Sequence, residues 1–176
     1  MDAQQPAPEA RTTVGRAVLA HLSSHDVVKV VYGAIVGLAV VVGLESHAGT
    51  PTQTAATVIA TAIAMAVAEA YSEFVGIEAR ERRHVAGREI PTLAANAGAV
   101  AIGAGFPAVF FILAALHAME LETAFSLAKW SGLGLLFAYS WAASRLAGSS
   151  ITRATLHASA VGAIGVALIV VKALLH

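Results

Sequence analysis

Five long apolar blocks, near residues 27–44, 52–73, 93–116, 123–143 and 154–171, are separated by short charged clusters. That alternation confines the chain to few folds. A helix rises 1.5 Å per residue, so each block can cross a hydrocarbon core of ~30 Å with some tilt. Inside lipid the backbone must satisfy its own polar groups, which makes each block a helix. A transmembrane β-barrel would show short alternating segments instead. Composition agrees. The chain is 57% hydrophobic and 12% charged, about half the charge of an ordinary soluble domain, too little to coat a water-facing surface. The expectation is an all-α polytopic membrane protein with five transmembrane helices in one membrane domain, residues 11–176. Residues Met1 to Ala10 hold two prolines and two acids without an apolar core. They are expected to be a disordered tail and not a cleavable signal.

Between tail and first block, Val14, Val18, Leu19 and Leu22 fall on one helical face flanked by Arg11, Arg16 and His21. This predicts either an amphipathic interfacial helix over 12–24 or a helical extension of the first crossing. Lys29 lies near the start of the first block and can snorkel to headgroups. Pro51 opens the second, where a missing N–H costs nothing. Pro107 should kink the third. Lys129 interrupts the fourth and is expected to reach outward or find a partner. Basic residues set the orientation. Nine of the eleven Lys and Arg lie in the N-terminal segment, the second-to-third connection (Arg80, Arg82, Arg83, Arg88) and the fourth-to-fifth connection (Arg145, Arg153). The remaining two loops, residues 45–50 and 117–122, have none. The N-terminus is therefore expected in the cytoplasm and the C-terminus outside, as in a prokaryotic plasma membrane protein.

Function classes narrow by exclusion. Net formal charge is zero and cysteine is absent, so neither a nucleic-acid surface nor thiolate chemistry is indicated. No nucleophile elbow, phosphate loop, H-E-x-x-H, EF-hand or dinucleotide fingerprint occurs, so no enzyme and no permanently bound cofactor is expected. Polar groups within apolar helices then carry the weight. Met65, Glu69 and Glu73 recur every four residues and share one face of the second helix. Two hard carboxylates beside a soft thioether suit a transition-metal ion such as Fe²⁺ or Mn²⁺. Glu78 and His84, further along the charged run, could gather such an ion. Alternatively, the carboxylates end a cytoplasmic helix and pair with Arg80 or arginines of other loops, with His84 in an exposed loop. Gly33 and Gly37 form a G-x-x-x-G pair that serves either general close packing or a dimer contact.

Three segments carry a family resemblance: Val31-Tyr32-Gly33-Ala34-Ile35-Val36-Gly37-Leu38, Ala64-Met65-Ala66-Val67-Ala68-Glu69-Ala70-Tyr71-Ser72 followed by a charged run, and Ala143-Ser144-Arg145-Leu146-Ala147-Gly148-Ser149-Ser150. In order and spacing the chain from Val27 to Leu174 resembles the vacuolar iron transporter family of iron and manganese exporters. The resemblance implies five crossings, a homodimer, and a metal path between the paired first and second helices with Met65 and Glu69 on it. Two departures are plain. Val36 stands where the family has an acid, and the family's metal-binding cytoplasmic insertion shrinks to about residues 77–90. The expected function is proton-coupled transport of iron or manganese across the bilayer. The alternative is a non-transporting scaffold or partner subunit of the same fold.

Overall fold

The structure, a computed structural model, describes residues 26–175. The expected tail and the amphipathic helix over 12–24 lie outside the described residues. Every element described is helical: α1 (Asp26–Glu45), α2 (Pro51–Glu81), a 3-10 turn (Gly87–Glu89), α3 (Ile90–Gly105), α4 (Ala108–Ala115), α5 (Leu121–Leu146) and α6 (Ile151–Leu175).

Local chemistry sets the boundaries. At the start of α2 the Thr50 hydroxyl accepts from the Gln53 N–H at 3.3 Å, and the Gln53 side chain accepts from the Thr50 N–H at 3.0 Å. This reciprocal cap, with Pro51 in the first turn, starts the helix sharply. The helix continues for 31 residues, well past its apolar block, and ends where Arg82 turns left-handed at φ 51°. Pro107 separates α3 from α4, which are bent by 53°. A proline lacks an N–H and collides with the preceding turn, so the helix breaks there.

Helix directions alternate, and α1 is the hub. It runs parallel to α3 at backbone contact. A methyl group on Gly33 would sit 2.3 Å from the Val100 carbonyl oxygen, one on Gly37 2.7 Å from that of Ala104, and one on Gly103 2.2 Å from that of Val30. No side chain fits such gaps. The Gly33/Gly37 pair is thus engaged within the chain, not in a contact between copies. Leu38 of α1 is buried among Ala34, Val42, Leu133 and Leu136, linking α1 to α5. A second cluster joins Val41 and Val58 to Phe111 and Phe125, whose rings meet edge-on at 4.8 Å.

Two helices, Val27–Glu45 and Pro51–Glu81, are long and apolar enough to cross a membrane, and the bent pair Gly87–Gly105 and Ala108–Ala115 makes a third if it counts as one span. Among the described residues α5 does not reach that mark. Glu122, Lys129 and Arg145 interrupt it. The structure therefore supports an all-helical protein with two or three candidate membrane-spanning segments among the described residues.

Candidate functional site

At the end of the bundle where α1 starts, α2 ends and α3 starts, polar side chains meet. The register of the α1–α2 hairpin brings them together. Lys29 precedes Glu45 by sixteen residues and Glu69 follows Pro51 by eighteen, so the two lie at one depth. The Lys29 ammonium donates to the Glu69 carboxylate, with side chains only 26% and 16% exposed. One turn further along α2, both oxygens of Glu73 accept from Asn96 Nδ2 at 2.9 Å. Asn96 is a buried polar residue of α3, and this bond satisfies it.

The two carboxylates thus answer to α1 and α3, and not to Arg80 or loop arginines. Met65 lies one turn deeper on the same helix and is half-buried. Glu73 also lines a groove of about 410 Å³ with Arg88, Glu89 and Thr92. Glu78 and His84 pair with each other at 2.9 Å outside this junction, and His84 is fully exposed in the loop. Val36 is half-buried. It belongs to a stripe on α1 with Val28, Tyr32, Ala39 and Gly43, which are all exposed. That stripe faces away from Gly33 and Gly37. Among the described residues no three His, Cys, Asp or Glu side chains gather around one point within the chain.

Lys29 and Asn96 are the members that spacing on α2 alone misses. Their signal was present: a lysine and an asparagine inside apolar blocks each need a partner. Lys129 makes the same point at the other end, where it bonds Glu45 at 2.5 Å.

Outside the helices, the α2–α3 connection is clamped by Arg83. Its guanidinium forks onto both oxygens of Glu89, at 2.8 and 2.6 Å, and also reaches Glu81. The Ala86 N–H adds a bond to Glu89 at 2.7 Å. The Arg83 hydrogen bonds, then the Ala86 N–H, pull the Glu89 carboxyl down to about 2 from its ordinary 4.5. No family model, curated protein or solved structure matches the chain.

Proposed function

We propose that this chain is a proton-coupled transporter of a divalent metal ion, iron or manganese. In this reading all five helical units cross the bilayer, the N-terminus is cytoplasmic, the C-terminus faces outward, and the membrane is a prokaryotic plasma membrane. One observation carries it: at Glu69 a carboxylate already holds a positive charge between two helices of a largely apolar bundle. A site that accepts an ammonium group there has the electrostatics to accept a metal ion.

Glu73, facing a groove with Arg88 and Thr92, receives the ion. Glu69 supplies the hard oxygen ligand and Met65 the soft one a turn deeper. Glu78 and His84 stand at the approach. One chain offers too few ligands for a complete shell, so a second copy completes the site. The outward stripe Tyr32, Val36, Ala39 and Gly43 is the surface of α1 left for that copy. Its small residues permit close approach. Two copies bring four carboxylates and two lysines together. The excess negative charge is what protons neutralise when no metal is bound, and a divalent ion releases them. An arriving ion must also displace Lys29.

A scaffold or partner-subunit role is the second reading. It is favoured by Val36, which puts an apolar side chain on the very stripe where a ligand would be useful. The discriminating experiment is uptake of Mn²⁺ and Fe²⁺ into liposomes containing the full chain, beside Glu69→Ala. Calorimetry should show Glu69→Gln weakening Mn²⁺ binding more than Glu73→Gln, because Glu69 lies one turn deeper along α2. Proton release should appear across buffers of different ionisation enthalpy. If the unmodified protein neither binds nor moves either ion, the scaffold reading replaces transport.

A further inference from the structure

A second polar site lies away from Glu69. A groove of about 480 Å³ runs between the start of α1, the last turns of α5 and the first turns of α6. Tyr139, Ser140 and Ser144 of α5, Ser149 of the connection and His157 of α6 line one part of it. Val27, Val28, Val31, Ala143 and Val161 line the rest. None of the five polar side chains has a hydrogen-bond partner in the chain among the described residues.

Hydroxyls in apolar helices can satisfy themselves by turning back on their own backbone. Thr54, Thr57, Thr61, Ser131 and Thr155 do so here, each bonding the carbonyl one turn earlier. Ser140 and Ser144 have the same carbonyls available and open into the groove instead. Their bonds must come from a ligand or from water.

The donor set identifies the ligand's chemistry. Hydroxyls, a phenol and an imidazole can all donate, and no carboxylate is among the lining residues. Arg145, next to Ser144 in sequence, holds its guanidinium on the Ser149 carbonyl at 2.8 Å. Arg153 precedes His157 by one helical turn, on the same face of α6. This is an environment for an anion. The valine-lined remainder suits hydrocarbon. Depth agrees: at 1.5 Å per residue His157 lies about 9 Å from the start of α6 and Tyr139 about 10 Å from the end of α5, within reach of the headgroup layer. We infer that this groove binds an anionic phospholipid, with its phosphodiester among Ser140, Ser144, Tyr139 and His157 and an acyl chain along Val27, Val31 and Val161.

The test is native mass spectrometry of the full chain in mild detergent, titrated with phosphatidylglycerol, phosphatidylcholine or inorganic phosphate. Phosphatidylglycerol should bind at least about tenfold more tightly than phosphatidylcholine, and Ser140→Ala/Ser144→Ala/His157→Ala should abolish that preference. Val31→Trp, which fills the apolar part and leaves every donor in place, should also weaken phosphatidylglycerol binding. Helicity by circular dichroism identifies a variant that has lost its fold, and the unmodified protein's preference between the two lipids remains decisive then. Equal affinity for the two lipids overturns the inference. So does a preference that survives in the folded triple variant, or protection by inorganic phosphate as strong as by the lipid, which would mark a small-anion site.

Discussion

The α1–α3 seam can be tested with glycines of one helix. Gly103 and Gly98 both lie in α3, but a methyl on Gly103 would fall 2.2 Å from the Val30 carbonyl oxygen, whereas one on Gly98 meets nothing within 4 Å. Alanine is the better helix former by about 1 kcal/mol, so Gly98→Ala should be neutral or stabilising by up to that amount. At Gly103 the same gain is opposed by overpacking, which costs about 1–3 kcal/mol in a tight interior. The obstructing atom is backbone, which cannot swing aside as a side chain can, so the upper part of that range applies. The net loss is then about 2 kcal/mol. For a chain of this size that is a fall in melting temperature of about 4–8 °C. Gly33→Ala, which meets Val100 from the other side at 2.3 Å, should behave alike. The double variant should lose less than the sum, because one separation of the helices relieves both clashes. Thermal unfolding in a single detergent, followed by circular dichroism, gives the comparison. Equal melting of Gly103→Ala and Gly98→Ala would refute backbone contact between α1 and α3.

Lys29→Met and Glu69→Gln should each destabilise the protein, while the double variant recovers part of the loss, giving a coupling of about 1–3 kcal/mol in a double-mutant cycle. Zero coupling in detergent unfolding would mean that the pair does not form. Lys129→Met with Glu45→Gln should give a smaller coupling at the opposite end, because Glu45 is more exposed to water than Glu69. Glu89 has a folded value below its ordinary one, so its contribution to stability is fully present above pH 4.5 and is lost as pH falls toward about 2. Proteolysis of the 82–89 connection should therefore rise on acidification through that window, and Glu89→Gln should show the acid-type cleavage already at neutral pH.

The helices were legible because apolar blocks bounded by charge admit few alternatives in lipid. Pro107 gave the break in α3–α4 for the same local reason. Tertiary roles were less legible. Gly33 and Gly37 are compatible with an internal or an intermolecular seam, because a small-residue pair says that something approaches and not what. On the candidate site, the period of four selected Met65, Glu69 and Glu73, but a single helix cannot name partners on its neighbours. Lys29 and Asn96 became assignable only once the hairpin register fixed which residues share a depth. The extension of α2 to Glu81 was blurred because charged residues past an apolar block are compatible with either helix or loop.

The packing of α2 divides it into two halves with different physics. Its buried residues, Thr54, Ala55, Val58 and Ala62, all fall in the first twelve residues. Beyond Ala62 none is fully buried, although nineteen residues of helix remain. Beside partly buried apolar contacts, polar ties hold that half: Lys29 to Glu69, Asn96 to Glu73, and the Arg83 clamp beyond the helix end. That half lacks the deep packing that holds the first half, and each of its polar ties can be exchanged for an ion or for water. The carboxylate-bearing half is therefore the part able to open locally while the bundle stays folded. Hydrogen exchange should register this. In Lys29→Met/Asn96→Leu, amides over 66–81 should exchange faster while those over 54–62 keep their protection. Uniform acceleration along α2 would show instead that the helix opens as one unit, and that the polar ties hold all of it.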